Sequence, residues 1–402
     1  ASLSTVRSFS NTYNFLPPSF DNTQLVEPTP PDAFITAYAR FQEQNVRAIN
    51  HSWGLSTRLD TAEELDTALQ GIRPGLGATL ARGSQSTGVL QVFAAGNVRD
   101  QNPGESPQTA PFAGMLATLP RAMPELEPYW LSVVNVNRSL GLETGSMRCG
   151  YSMDWCLAAP GTGVRSSTVG GEIDVEKLHD TDGEVNGFRT AADRPVFGYA
   201  TYAGTSMAAP HVTGALGVLM ERFPYLSNPQ IRDVLLTTAQ DLGEPGVDDV
   251  YGWGLVDLKK AIDGPGQLRV DTTVHMDRRA GGTIVWQGGA RDDWRNDISG
   301  PGRLGKTGDG WLRLSGDNSF AGATLNGGIL ELDGHNRLTS DINVAGGLLR
   351  LNGTLQGTDL NVTGGSAHIN GRQSDAITRV GAAGFLRGDG MLADTQVLGT
   401  IA

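Results

Sequence analysis

Apolar positions in the first 263 residues form short continuous runs that alternate with longer stretches of helical spacing. Strands that alternate with helices predict a parallel α/β sheet, whose ligand site lies at the carboxyl ends of the strands. The predicted strands are 2–9, 46–50, 88–94 and 129–137. The predicted helices are one that begins near residue 31, then 61–81, one that follows residue 204, 229–240, and one that ends near residue 262. Residues 164 to about 200 are polar and acidic, and we expect a surface insertion there.

The helix after Gly204 carries a serine at its start. Between Met207 and Leu219 the chain is almost wholly apolar or small, which predicts a helix buried on all sides. We expect Pro210 to be tolerated because it falls in the first turn, where N–H groups have no acceptor. Ser206 would then lie at the positive end of the helix dipole, which favours nearby negative charge. It is either an ordinary N-cap or a nucleophile.

The pattern of apolar and polar residues changes at Gly264, where helical spacing stops and short alternating runs begin. Glycine pairs at 327–328, 346–347 and 364–365 recur every 18 or 19 residues, with Leu-x-Leu runs between them. A repeat of this size predicts a solenoid whose rungs each need neighbours on both sides. We expect a linker at 264–289 and a right-handed parallel β-helix at 290–402, open at its C-terminal end. The alternative is a β-sandwich with regular turns.

Length and charge narrow the class of protein. A chain of 402 residues can hold two domains. A net charge of -12 argues against nucleic-acid binding and favours a soluble or surface-displayed protein. The chain has no apolar run of about 18 residues, which a membrane-spanning helix would need. Neither end resembles a natural terminus, so we expect a piece of a longer polypeptide.

Two further segments follow predicted strands and should face the same cleft as Ser206. The first is Ser52–Trp53–Gly54, and the second is Gly96–Asn97. Taken alone, Asn97 is typical of a turn after glycine, and Trp53 could be ordinary packing.

The stretch from Gly204 to Gly214 closely resembles the serine motif of the subtilisin-like serine proteases, or subtilases. It matches Gly-Thr-Ser-Met-Ala-x-Pro-His-Val-x-Gly at every fixed position. The resemblance extends from residue 1 to about 263 and implies a serine endopeptidase with Ser206 as nucleophile. It also implies that the Asn97 amide and the Ser206 N–H bind the oxyanion. The substrate-binding residues that it implies are Ser52, Trp53, Gly54, Ala95, Gly96 and Thr205.

The C-terminal part narrows the resemblance to subtilisin-like autotransporters of Gram-negative bacteria. Residues 312–324 and 327–332 resemble the passenger-associated repeat of that class. The resemblance implies secretion through the periplasm, a place on the cell surface, and an outer-membrane β-barrel translocator in the same polypeptide. It also implies a Cys149–Cys156 disulfide, with two reduced thiols as the alternative. Neither cysteine has partners at metal-ligand spacing.

The family's aspartate and histidine motifs, Asp-Ser/Thr-Gly and His-Gly-Thr-His, do not occur in this chain. His51 lies inside a predicted strand, and His211 matches a structural position of the serine motif, so we expect neither to be the general base. We expect the aspartate and histidine to precede residue 1, and the chain alone to lack meaningful peptidase activity. The alternative function is a non-catalytic surface adhesin with a degenerate subtilase domain.

We expect a protein or peptide substrate and no cofactor. The resemblance allows calcium, but the chain has no EF-hand-like loop. The acidic stretch at 172–184 is expected to be a solvated loop.

Overall fold

A computed structural model describes most of the chain. The described residues are 40–41, 43–54, 59–98, 112–169, 175–179, 185–190, 197–281 and 289–402. They form two compact units: those up to residue 213 and at 242–252 belong to the first, and those at 214–241 and from residue 253 onward belong to the second. The strand predicted at 2–9 and most of the helix predicted near residue 31 lie outside the described residues.

A parallel four-stranded sheet forms the centre of the first unit. Its strands, in spatial order, are β1 (Ala48–His51), β2 (Leu90–Ala94), β3 (Trp130–Val136) and β4 (Cys156–Pro160). Every residue of β3 is buried, as expected for a parallel sheet covered on both faces. The predicted strands at 46–50, 88–94 and 129–137 are confirmed to within two residues at each end.

The helix predicted at 61–81 is two helices. The capping box of Thr61 and Glu64 begins α1 (Ala62–Ile72), a π-helical turn follows at Arg73–Gly77, and α2 (Ala78–Thr87) completes the connection. Pro74 lies in the π-helical turn, where its missing N–H breaks the regular hydrogen-bond ladder.

The predicted surface insertion contains two antiparallel strand pairs. They are β5 (Val164–Val169) with β8 (Phe197–Tyr202), and β6 (Val175–His179) with β7 (Val185–Thr190). The stretch 172–184 was expected to be a solvated loop, and this expectation is wrong for β6. Pairing with β7 satisfies the backbone groups on one edge of β6 and does not require an apolar sequence.

The helix α3 (Thr205–Arg222) begins with the serine motif and crosses the boundary between the two units. The prediction that it is buried on all sides is wrong. One stripe is exposed, and it includes Pro210, His211, Gly214 and Val218. Because three of these four residues are small or polar, exposing the stripe costs little apolar surface. No helix in the described ranges is long and apolar enough to cross a membrane.

Two short helices of the second unit follow α3. They are α4 (Asn228–Thr237), which Ser227 and Gln230 begin with a capping box, and α5 (Leu258–Ala261), which Asp257 caps. The remainder of this unit is a parallel β-solenoid of about six turns, as predicted. All of its strand pairs are parallel, which excludes the β-sandwich alternative, and its right-handed sense stays a prediction.

The solenoid has one large and one small sheet. The large sheet holds β9 (Thr272–His275), β10 (Arg291–Trp294), β11 (Arg303–Thr307), β12 (Trp311–Leu314), β13 (Gly322–Leu325), β14 (Ile329–Leu332), β16 (Ile342–Val344), β17 (Leu348–Leu351), β19 (Leu360–Ile369), β21 (Ile377–Arg387), β22 (Asp394–Val397) and β23 (Thr400–Ile401). The small sheet holds β15 (His335–Asn336), β18 (Thr354–Gln356) and β20 (Arg372–Ser374). Buried leucines stack in register along the interior, as in Leu312, Leu330 and Leu349.

Part of the predicted linker 264–289 belongs to the solenoid, because β9 pairs with β11. The helices α4 and α5 also belong to this unit. A buried ion pair in it joins the end of α3 to the solenoid strand β10. Both guanidinium Nη atoms of Arg222, at the end of α3, lie 2.7 Å from carboxylate oxygens of Asp292 in β10. Tyr225 donates to the same carboxylate, and Trp294 donates to Tyr225 over 3.0 Å.

Candidate active site

Ser206 lies in the first turn of α3, and the chain approaches it through Gly204, whose backbone conformation favours glycine. Gly204 has φ of +147°, and a Cβ there would come within 3.3 Å of Asn97 Oδ1. Gly204 N donates to Gly161 O over 2.9 Å, and a Cβ on Gly161 would lie 2.5 Å from Gly204 O. The two glycines therefore let three backbone segments meet beside the serine.

The backbone and side chain of Ser206 both bond to Ser52. Ser206 Oγ donates to Ser52 O over 3.3 Å, and Ser52 Oγ donates to Ser206 O over 2.7 Å. The Ser206 N–H belongs to the first turn of the helix, where N–H groups have no intrahelical acceptor. It is therefore suited to be the second oxyanion donor that the resemblance implies.

Asn97 is exposed, and its side chain is held in one orientation. Its Oδ1 accepts from Thr205 N over 3.0 Å and from Thr205 Oγ1 over 3.2 Å. Because both bonds use the carbonyl oxygen, the Nδ2 donor is the end of the amide that is left for a ligand. The structure thus places Asn97 against Thr205, the residue before Ser206.

Thr205 and Ala95 were predicted to contact substrate, but the structure buries both side chains completely. Besides bonding to Asn97, Thr205 Oγ1 accepts from Gly96 N over 3.2 Å. The N–H of Ala95 donates to Val133, and its carbonyl accepts from Gly114. Thr205 therefore supports Asn97, and Ala95 belongs to the core.

A second support for Asn97 has no signal in the sequence. Val98 N donates to Gly145 O over 2.7 Å, and Met147 N donates to Gly96 O over 3.0 Å. Asn97 thus sits in an antiparallel bridge with the segment 145–147. Isolated pairing between irregular segments leaves no periodic pattern, so only the fold could reveal it.

Trp53 and Gly54 follow Ser52 in the chain and differ in exposure. Gly54 is exposed, and a Cβ added to it would meet no other group within 4 Å. Trp53 is half-buried and packs edge-on against His51 and Phe93, with ring centroids 5.6 and 6.2 Å apart. These contacts support the packing alternative for Trp53.

Both candidate histidines of this unit bond to groups other than Ser206. His51 is buried, its Nε2 lies 2.7 Å from Gln91 Oε1, and its ring stacks on Phe93. Burial lowers the pKa of His51 to about 4, although the bond to Gln91 opposes this shift. His211 is exposed and bonds through Nδ1 to Met207 O over 2.8 Å.

Cys149 and Cys156 are bonded to each other, and both are buried. They enclose the 3₁₀ turn Gly150–Trp155, whose Trp155 donates to Ala117 O over 2.9 Å. The bridge thereby fixes the start of β4, the strand that leads to Gly161. Over the ranges that the structure describes, no three His, Cys, Asp or Glu side chains gather as metal ligands would.

Comparison with known proteins agrees with the motif. A model of the subtilase family matches residues 28–254. The serotype-specific antigen 1 of Mannheimia haemolytica is 36% identical over 315 residues, which cover 78% of this chain and 29% of that protein. An extracellular serine protease of Serratia marcescens is 34% identical over 290 residues, which cover 64% of this chain and 26% of that protein. The Neisserial autotransporter lipoprotein NalP of Neisseria meningitidis serogroup B is 31% identical over 400 residues, which cover 89% of this chain and 32% of that protein.

This chain thus spans only about a quarter to a third of the length of these relatives. The family match is nevertheless extensive, because it covers more than half of the chain and includes Ser206 and Asn97. The chain therefore belongs to the subtilase family of serine peptidases.

Proposed function

We propose that this chain carries the nucleophile and the oxyanion hole of a serine endopeptidase. The observation that carries the proposal is the placement of Asn97, whose Oδ1 is held by Thr205, the residue next to Ser206. A preorganised amide donor beside an accessible serine is what acyl transfer requires. Neither feature is needed by a domain that only folds or binds.

In the proposed reaction, Ser206 Oγ attacks the carbonyl carbon of a peptide bond. A histidine outside this chain takes the Oγ proton and later gives it to the leaving amine, with an aspartate outside this chain orienting that histidine. The carbonyl oxygen becomes an oxyanion between Asn97 Nδ2 and the Ser206 N–H. Water then attacks the acyl-enzyme and releases the acid product.

The substrate we propose is an extended protein segment that lies along Ser52–Trp53–Gly54. These residues follow the carboxyl end of β1, so their main chain can pair with a peptide as an added strand. Trp53 would form part of one wall of the cleft for the side chain before the cleaved bond.

Peptide hydrolysis by a longer form of the protein, extended upstream to include the aspartate and histidine motifs, tests the proposal. We expect Ser206→Ala to abolish hydrolysis. Asn97→Ala should lower kcat about 100- to 1000-fold with little change in KM, as the loss of one oxyanion donor does. Hydrolysis that persists in Ser206→Ala contradicts the proposal. An upstream sequence without either motif, together with no hydrolysis, supports the non-catalytic adhesin.

The 402-residue chain by itself should be inactive, because Ser206 without a base is a weak nucleophile near neutral pH. A fluorophosphonate probe measures this directly, since it labels activated serines. We expect slow labelling of Ser206 in the chain and rapid labelling in the extended protein. Equal labelling rates would contradict the need for a base outside the chain.

We also propose that the chain is displayed on or released from the bacterial surface as part of an autotransporter passenger. Its likeness to the Neisserial autotransporter lipoprotein and its β-solenoid support this proposal. The partner would be an outer-membrane translocator in the same polypeptide. Antibody labelling of intact cells tests the location, and a signal that requires cell lysis would contradict it.

A further inference from the structure

We infer that Asn50 is a positioning residue for Ser206 and acts through the hydroxyl of Ser52. Asn50 is in β1, and its Nδ2 donates to Ser52 Oγ over 2.9 Å. Ser52 Oγ in turn donates to the carbonyl oxygen of Ser206 over 2.7 Å. This inference rests on the proposed peptidase function and adds a residue that touches neither substrate nor reacting atoms.

The need for this relay arises from Pro210. In an α-helix the carbonyl of Ser206 would accept from the N–H of residue 210, four positions later. Proline has no N–H, and its ring crowds the carbonyl four residues before it. Since α3 begins at Thr205, Pro210 lies beyond the first turn, and the expectation that its missing N–H would have no role is wrong.

Ser52 supplies the hydrogen bond that Pro210 cannot. The bond from Ser52 Oγ satisfies the Ser206 carbonyl, which would otherwise lose its helical partner. It comes from the residue that follows β1 rather than from the helix, so it also ties the nucleophile's backbone to the end of that strand. The carbonyl of Ser52 accepts a hydrogen bond from Ser206 Oγ. Each serine therefore donates its hydroxyl to the carbonyl oxygen of the other.

Asn50 sets the direction of this bond. A hydroxyl has one proton to donate, and it can rotate among several acceptors. Because the Asn50 amide donates to Ser52 Oγ, that oxygen must point its own proton elsewhere, and Ser206 O is the acceptor in reach. Thr213, two turns along α3 from Ser206, donates from Oγ1 to Asn50 Oδ1 over 3.4 Å and gives the amide a direct contact with the helix.

Asn50 affects catalysis by fixing the position of the first turn of α3, which carries Ser206. Loss of Asn50 frees the Ser52 hydroxyl to rotate, and the first turn of α3 loses its fixed place beside β1. Displacements of about 1 Å at a reacting group can cost about 100-fold in rate. We therefore expect Asn50→Ala to lower kcat 10- to 100-fold in the upstream-extended protein, with KM changed less than twofold.

Asn50→Asp and Pro210→Ala sharpen the test. Asp keeps the shape of Asn50 but has no donor when ionised, so it should lose as much activity as Asn50→Ala. Pro210→Ala restores the helical N–H to Ser206 O, so the loss caused by Asn50→Ala should shrink at least threefold in that background. Asn352→Ala is the matched control. This solenoid amide bonds three side chains, those of Glu331, Asp333 and Asn370, and its loss should leave kcat unchanged.

Three outcomes decide the matter. A kcat loss in both Asn50 variants, with rescue by Pro210→Ala, supports the inference. Values of kcat within twofold of the parent overturn it while leaving the proposed function intact. If the parent shows no hydrolysis that Ser206→Ala removes, the proposed function fails instead.

Hydrogen exchange in the 402-residue chain then tests the relay without activity. Asn50→Ala should speed exchange of the amides between Met207 and Thr213 at least tenfold, and unchanged exchange overturns the inference.

Discussion

His51 makes the stability of the first unit depend on pH. Its ring is buried between Gln91 and Phe93, and burial lowers its pKa from 6.5 to about 4. Because the folded pKa lies below the unfolded one, the unfolded chain binds the proton more readily between these values. The contribution of neutral His51 to stability is therefore complete above pH 6.5 and is lost as the pH falls towards 4.

The size of the effect follows from the two pKa values. A tenfold change in proton affinity corresponds to about 1.4 kcal/mol, and the full linkage gives a loss of about 2 kcal/mol at pH 5 and about 3 kcal/mol at pH 4. Neutral His51 donates one hydrogen bond from Nε2 to Gln91 Oε1, whereas protonated His51 would bury a charge with one uncharged partner. Most of this loss should therefore be specific to position 51.

Native-state hydrogen exchange of the β2 amides, measured from pH 7.5 to pH 4, gives the free energy of opening for this unit. His51→Gln is the comparison, because glutamine can bond to Gln91 and does not titrate. Since both proteins share every carboxylate, the difference between their opening free energies isolates His51. We expect this difference to change by about 2 kcal/mol between pH 7.5 and pH 5. A difference that stays constant over this range would refute the reasoning.

Two further predictions concern packing. Asp292→Ala leaves the Arg222 guanidinium buried without its carboxylate, so urea unfolding of the second unit should show a loss of about 3–5 kcal/mol. A loss under about 1 kcal/mol would mean that water replaces the carboxylate. Gly161→Ala places a methyl group 2.5 Å from Gly204 O, which should displace the backbone just before Ser206. We therefore expect kcat of the extended protein to fall at least 10-fold. A kcat equal to that of the parent would contradict this expectation.

Local chemistry made several features predictable. The capping boxes of α1 and α4 depend on residues three apart, and the solenoid is visible because its rungs repeat every 18 or 19 residues. Ser206 was identifiable because its motif is contiguous, and Asn97 because it directly follows a strand end. Each of these signals is contained within a short stretch of chain, where residue type alone determines the available conformations.

The tertiary structure decided which groups hold the site together. Thr205 proved to be a support for Asn97, and the segment 145–147 pairs with it, although neither role has a sequence pattern. The ion pair of Arg222 and Asp292 joins residues 70 positions apart.

Ser52 replaces a helical donor that Pro210 lacks, across 154 positions. A missing N–H can be read from the sequence, but the group that compensates for it cannot. Its identity depends on which strand the fold places against the helix.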